Sequence, residues 1–330
     1  QGGVINKSSA TSLTINGPVV GNPMHQWLSG FAAGEVIINN CEKVFFEWFG
    51  ALGDNSTDDN SSSNSALQQA IRCVEGSTPM PYIQLLDKTY KYTIGLLFTK
   101  AWFVMKGTNG GLYDSAALTP VGNMSCLRYT GTGVAITTTA GEQGTHLEDV
   151  YLAGTSAALG GLILRGAVPV LNNVGICGFT VGYGVKMQGV TKGHFHFSSN
   201  NNLHGLILDY GASNYVTTSY FDNCSFTWNG GYGVFDYGSA GTTFNTCLYQ
   251  GNGFAGLRLE TQSDASWVGQ NMVLINPHFE GNNVISGYTI HIEGDTALKC
   301  NGISIFGGYI ENNSMTNSSG LMYLSKLTNM

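Results

Sequence analysis

The stretch SFTWNGGYGVFDY at 225–237 is answered 23 residues later by LYQGNGFAGLRLE at 248–260. Phe226 aligns with Tyr249, Asn229 with Asn252 and Val234 with Leu257. Within each copy apolar residues alternate with others, the two-residue period of a strand and not the 3.6 of a helix. Both signals extend outward. A small residue followed by alternating apolar positions recurs as GLILR (161–165), GVKMQ (184–188), GLILD (205–209), GVFDY (233–237), GLRLE (256–260) and TIHIE (289–293). Asp236 occupies an expected apolar position in the fourth copy. The second signal runs Phe179, Phe197, Phe226, Tyr249, Phe279, Ile310. Asn200, Asn229, Asn252, Asn282 and Asn313 each follow the last five by three residues. Cys177, Cys224 and Cys247 stand two places before Phe179, Phe226 and Tyr249.

Gly, Asn and Ser punctuate the segments. Self-similarity at roughly 20–30 residues with short strands in each unit predicts stacked β-coils, an all-β parallel β-helix. Such coils bury Phe on Phe and Cys on Cys at about 4.8 Å per step. The recurring asparagine tolerates left-handed turns and can hydrogen-bond its equivalents above and below. A β-sandwich is the competing architecture, but sandwich strands do not normally keep columns of like residues in register.

Composition narrows the function. Charged residues make up 11% of the 330, and glycine is plentiful at 46. With 42% hydrophobic residues the chain has a core to build. Its surface must therefore be neutral and polar. The net charge of −7, without Lys or Arg clusters, argues against nucleic acid. A neutral surface rich in Tyr and Trp suits carbohydrate. No apolar run is long enough to span a bilayer, so no membrane insertion is expected, and no signal peptide is evident. The seven cysteines lack CxxC spacing and read as buried thiols of a protein made in a reducing cytoplasm.

Ahead of the coils, SALQQAIRCVEG (65–76) places Ala66, Leu67, Ala70, Ile71 and Val74 on one helical face, with Asn64 or Ser65 to cap its start and Gly76 its end. A helix at about 65–75 would cap the first coil, whose open edge is otherwise a pairing template. The stretch VFFEWFGALGDNSTDDNSSSNSALQQAI (44–71) resembles the entry motif of the pectate-lyase-like superfamily through Phe49, Gly50, Ala51, Gly53, Asp54, Thr57, Asp58 and Asp59. NSTDDNSSSNS departs from that motif in being longer and more polar. Low charge and Asn/Gly-rich coils resemble bacteriophage tailspikes within it. The resemblance implies a right-handed parallel β-helix over 41–330, and a segment 1–40 that docks on a tail or baseplate protein and forms a neck. It also implies a homotrimer in the virion tail, made in the host cytoplasm, that binds or cleaves bacterial surface polysaccharide. The chain shows no trimerisation stem before Met330.

The candidate chemistry lies beside the core columns. If Phe279 and Ile310 face inward, their strand neighbours face outward. His278 and Glu280 then sit beside Tyr309 and Glu311, with Ser198, Thr227 and Gln250 in the same column of earlier coils. Stacked like charges are unfavourable, and repulsion divides such a pair into an acid and a base, as a glycosidase requires. Glu280 and Glu311 are thus the expected catalytic pair, with His278 and Tyr309 binding sugar. The plain reading is two outward polar positions that coincide, or a cation site. A rival column runs Arg165, Gln188, Asp209, Tyr237, Glu260, Glu293, with Asp236 and Arg258 nearby. It offers Glu260, Glu293, Asp236 and Asp209 as alternative carboxylates. Trp228 and Trp267 are candidate stacking rings, and Gln250 and Arg258 candidate sugar contacts.

His194 and His196 in GHFHF share a strand face; outward polar positions explain them as well as metal ligation does. DNSTDD lacks the spacing of a calcium loop, and its aspartates read as turn-closing. No metal or cofactor is expected. Three functions remain: hydrolysis of capsule or O-antigen, lyase cleavage of a uronate polymer, or binding without catalysis. A lyase needs a basic residue and often calcium, and these coils are poor in basic residues.

Overall fold

The computed structural model describes residues 3–9, 12–108, 124–139, 144–209, 215–237, 239–260, 271–282, 288–293, 300–311, 322–325 and 327–328. The chain winds as a parallel β-helix with three faces. The first face carries, among others, Val104–Lys106, His146–Glu148, Tyr220–Asp222, Thr243–Asn245, Val273–Ile275 and Ser304–Phe306. The second carries Cys126–Tyr129, Tyr151–Ala153, Ser225–Thr227, Leu248–Gln250, His278–Glu280 and Tyr309–Glu311. The third is a nine-stranded sheet that includes Gly160–Ala167, Tyr183–Thr191, His204–Asp209, Tyr232–Asp236, Ala255–Glu260, Ile290–Glu293 and Met322–Ser325. The first two faces are hydrogen-bonded into one 18-stranded sheet, because Val170–Cys177 and His194–Asn200 each run round the corner between them.

Register follows the aromatic columns. Phe226, Tyr249, Phe279 and Ile310 are successive Cα partners, and the first three are fully buried. The Tyr249 and Phe279 rings stack with centroids 4.4 Å apart. A column that the repeats do not announce, Phe195–Phe221–Phe244–Leu274, fills the interior of the first face. Cys224 and Cys247 lie in the core, and their thiols point at the preceding coil's carbonyls, Phe195 O (3.3 Å) and Phe221 O (3.6 Å).

The earliest coils break the expected column. Phe197 stands opposite Val174, and it is Ser199 that partners Phe226; Asn200, not Ser198, partners Thr227. The later coils turn the corner on left-handed residues, Asn223, Thr246 and Asn276. The strand at 194–200 instead runs through it against a partner with a bulge between Asn172 and Val174. Counting back from Phe226 therefore misplaces this coil. Cys177 belongs to a separate small cluster with Met124, Cys126, Tyr151 and Ala153. Asp236 is an inward residue, fully buried between its partners Leu208 and Leu259. Its carboxylate accepts from Ser239 N (2.7 Å) and Ser239 Oγ (2.6 Å). It cannot meet a substrate, which removes it from the catalytic candidates.

The corner between the second and third faces is held by a buried asparagine ladder: Asn202, Asn229, Asn252 and Asn282, each at most 2% exposed. Asn252 Oδ1 accepts from Asn229 N (3.2 Å) and Asn229 Nδ2 (3.0 Å). Asn282 Oδ1 accepts from Asn252 N (3.2 Å) and Nδ2 (2.8 Å). Asn252 Nδ2 also donates to Phe226 O at 2.9 Å. The ladder starts at Asn202, whose Oδ1 accepts from Phe179 N, so Asn202 takes the place expected for Asn200. Asn313 lies outside the described residues.

The small residue leading each third-face repeat has a steric cause. A Cβ on Gly205 would lie 2.5 Å from Gly233 O, and one on Gly233 2.6 Å from Gly256 O. Each coil's carbonyl presses against the previous coil at this point, and only glycine leaves room.

The helix Ala66–Gly76 buries Leu67, Gln68, Ala70, Ile71, Cys73 and Val74 against the first coil. Its C-terminal cap is Ser77, one residue past the expected Gly76; Ser77 Oγ donates to Cys73 O and accepts from Ile38 N. The preceding aspartates close turns. Asp59 accepts from Leu52 N and Gly53 N, and Asp54 from Ser56 N and Thr57 N. Before residue 41, Ile5–Asn6 pairs with Leu28–Ser29 and Leu13–Asn16 with Val36–Asn39, both parallel. Leu28, Phe31, Val36 and Ile38 join the same hydrophobic cluster as the coils. Cys41, Cys73, Cys126, Cys177, Cys224 and Cys247 are free and buried.

Breaking one ladder rung should be costly, since each buried polar group left unpaired costs about 1–3 kcal/mol. Asn252→Ala is expected to lower unfolding free energy in urea by at least ~2 kcal/mol. Asn252→Asp, which keeps the acceptor but loses the N–H that Phe226 O receives, should not restore it.

Candidate functional site

On the second face, alternation turns the neighbours of Phe279 outward. Glu280 and Glu311 are Cα partners, as are His278 and Tyr309, whose rings meet edge to face at 5.1 Å. Gln250, partner of Glu280 on the other side, donates from Nε2 to Glu280 Oε2 at 3.0 Å. His278 Nε2 lies 3.6 Å from the same oxygen. The Tyr309 hydroxyl is hydrogen-bonded to Glu311, and that bond pushes its pKa above the usual phenol value. Among the described residues no Lys or Arg forms an ion pair with either carboxylate.

One residue past Thr227, this column's member in the coil before Gln250, stands Trp228. Its backbone is left-handed (φ 55°), and the equivalent places in the next coils are Gly251 (φ 64°) and Gly281 (φ 57°). A non-glycine residue there costs about 1–2 kcal/mol. Trp228 N donates to Gln250 O at 2.8 Å, its ring lies over Gly251, where a Cβ would fall 2.4 Å away, and 48% of the residue is exposed. Gln250, Glu280 and Glu311 thus form one line along the axis, with His278 and Tyr309 beside it and Trp228 at the corner of the coil before Gln250. Trp267 lies outside the described residues.

The third face carries the rival column in the expected register: Arg165 opposite Gln188, Gln188 opposite Asp209, and Glu260 opposite Glu293. Its carboxylates are differently surrounded. Arg258 donates from Nε (3.0 Å) and Nη2 (2.8 Å) to Glu260 Oε2, and Nη2 lies 3.7 Å from Glu293 Oε2. Arg258 Nη1 is 2.9 Å from His291 Nδ1. Guanidinium only donates, so Nδ1 accepts and the ring hydrogen sits on Nε2, 3.3 Å from Glu293 Oε2. Burial, then the Arg258 charge, pushes His291 below the usual imidazole pKa. Asp209 is held by Lys186 (2.8 Å) and Gln188 Nε2 (2.8 Å).

Rings surround this network. His204 stacks on Tyr232 (5.3 Å, 11°), Tyr232 meets Phe235 at 4.8 Å, and Arg258 lies over both rings. One coil further on, Tyr323 packs against His291 (4.8 Å) and Tyr288 (5.0 Å). His204, Tyr288 and Tyr323 escape sequence reading because no motif marks them; their signal is the shared outward column, visible only once register is known.

On the first face a cleft of about 290 Å³ is lined by His146, Asn172, His194, His196, Tyr220 and Asp222, among others. Burial pushes His146 below the usual imidazole range. Among the described residues no group of three or more His, Cys, Asp or Glu is arranged to hold a metal ion; His194 is exposed and His196 half-buried.

Similar folds occur in solved structures. Geobacillus virus E2 ORF18 superposes with a TM-score of 0.63 at 16% identity over 87% of this chain, which spans 60% of that protein's length. The A-module of the Azotobacter vinelandii mannuronan C-5 epimerase AlgE6 gives 0.59 at 16% identity, covering 84% of this chain and 78% of the module. The enzymatically active domain of bacteriophage CBA120 tailspike protein 2 gives 0.51 at 14% identity, covering 86% and 46%. At these identities the likeness establishes the parallel β-helix fold. No family model matches the chain, and no curated protein is similar to it in sequence.

Two expectations follow. Trp228→Gly relieves the left-handed strain and should stabilise the fold by about 1 kcal/mol, while weakening any ligand that stacks on the ring; thermal melting and ligand titration on one sample separate the effects. Burial lowers the His204 pKa from 6.5 to about 4. The unfolded chain then takes up a proton that the folded chain refuses, so the stability from neutral His204 is complete above pH 6.5 and is lost as pH falls from 6.5 towards 4. His204→Phe should flatten the stability curve in that window by up to ~1.4 kcal/mol per pH unit, whatever its effect at neutral pH.

Proposed function

We propose that this chain is a phage tailspike that binds a bacterial surface polysaccharide, capsule or O-antigen, and hydrolyses it at Glu280 and Glu311. One observation carries the reading: two carboxylates stand in register on adjacent coils with no Lys or Arg paired to either among the described residues. Two carboxylates on adjacent coils are the pair that glycoside hydrolysis uses, one as acid and the other as nucleophile or base. The partners support a division of roles. Gln250 donates its Nε2–H to Glu280, which suits an ionised nucleophile. The Tyr309 hydroxyl can accept as well as donate, so Glu311 can carry the proton delivered to the glycosidic oxygen. A coil spacing of about 4.8 Å favours the ~5–5.5 Å separation of retaining enzymes over the ~6.5–9.5 Å of inverting ones. Trp228, His278 and Gln250 would hold the sugar.

The entry motif at 44–71 and the fold shared with a tailspike domain support the tailspike assignment. On the same grounds we assign the chain to the virion tail as a homotrimer made in the host cytoplasm, with residues 1–40 meeting a tail or baseplate protein.

Glu280→Gln and Glu311→Gln should each slow depolymerisation about 10²–10⁴-fold and leave melting temperature nearly unchanged. Size-exclusion chromatography of purified capsular and O-antigen polysaccharides after incubation measures this, and proton NMR of early products should show retained anomeric configuration. Full activity in either variant sinks the pair. Products bearing a new ultraviolet-absorbing double bond would make the protein a lyase instead.

A further inference from the structure

We infer that the third face is a stacking shelf for an uncharged stretch of glycan, and not a second reaction centre. The inference rests on the polysaccharide reading above and names the substrate class that reading leaves open.

Three features carry it. The first is the state of the carboxylates. Glu260 and Glu293 touch Arg258 and the Nε2–H of His291, which are donors only. Neither contact can accept a proton passed through the carboxyl, in contrast to Tyr309 beside Glu311. Both carboxylates are pinned as acceptors, the state that binds sugar hydroxyls and not the state that protonates a leaving oxygen.

The second is charge balance. Arg258 is engaged by Glu260 and Glu293, and Lys186 by Asp209. Beside the rings two carboxylates face one cation; Arg165, which no described carboxylate pairs, lies four coils before Arg258 and donates to Gln188 Oε1 and Thr138 O. A uronate, sialate or phosphodiester polymer would bring further negative charge to rings beside which, among the described residues, the one cation is already paired. An uncharged sugar meets no such penalty: its hydroxyls donate to the carboxylate oxygens and its C–H face lies on a ring.

The third is position. Tyr232, stacked on His204, lies four residues after Trp228 in the same turn, and Asn229 between them is locked in the buried ladder. The rigid corner holds the exposed Trp228 ring of the second face and the half-buried Tyr232 ring of the third in a fixed relation. A glycan that turns this corner touches both, which joins the shelf to the second face.

The test uses the full chain carrying Glu280→Gln, to prevent cleavage, on an array of purified bacterial polysaccharides sorted into uncharged and acidic sets. Binding is expected in the uncharged set alone. Adding Tyr232→Ala or Tyr323→Ala should weaken it at least tenfold, and Tyr232→Phe, which keeps the ring, should restore it. Glu260→Gln together with Glu293→Gln frees Arg258 and should add binding to alginate, a uronate polymer. The inference is overturned if the parent binds only acidic polysaccharides or none, or if Tyr232→Ala binds as tightly as the parent. Unchanged binding by Tyr232→Ala, with cleavage still lost in Glu280→Gln, defeats the shelf alone. Weakened binding with cleavage intact in the Glu280 and Glu311 variants defeats the reaction centre alone.

Discussion

The structure depends on the coil-to-coil contact at the corner between the second and third faces. There a buried amide in each coil satisfies backbone and side-chain groups of its neighbours, from Asn202 through Asn229 and Asn252 to Asn282. A turn inside a protein normally strands polar backbone groups, and each would be expensive without a partner. Here the coil above or below supplies the partner. The same contact sets register, and register decides which side chains stand together outside. The stacked Phe226, Tyr249 and Phe279 fill the interior, but rings alone would tolerate sliding; the directional amides do not.

Once register is set, the outer faces differ in what surrounds their carboxylates. Both have a pair of glutamates on adjacent coils with a histidine two residues before one member, His278–Glu280 and His291–Glu293. On the third face a guanidinium lies between the two, and a sheaf of rings covers it. On the second face the pair has an amide and a phenol for company. The same two-residue motif therefore serves different ends, according to whether the coil before it offers Arg258 or Gln250.

Much of this architecture was legible in the sequence. Alternation over short segments, glycine leads and trailing asparagines specified a coil, and the columns from Phe226 onward were in correct register, which placed Glu280 beside Glu311 and Glu260 beside Glu293. The failures have physical causes. Phe197 and Asn200 were misplaced because their coil rounds the corner without the left-handed residue that the others use, and a bulge leaves no sequence mark. Asp236 was taken for a surface carboxylate, although it fills an inward place and is satisfied by Ser239, a contact made after the strand has ended. The rings around Arg258 went largely unread because they come from several coils, and only their stacking makes them one surface.

The backbone hydrogen bonds between coils run along the axis of the winding, and each described strand pairs with those of the coils directly before and after it. Tension applied to the two ends of the chain would thus not load the molecule evenly. It would peel terminal turns one at a time, each release needing the rupture of a whole set of parallel inter-coil bonds.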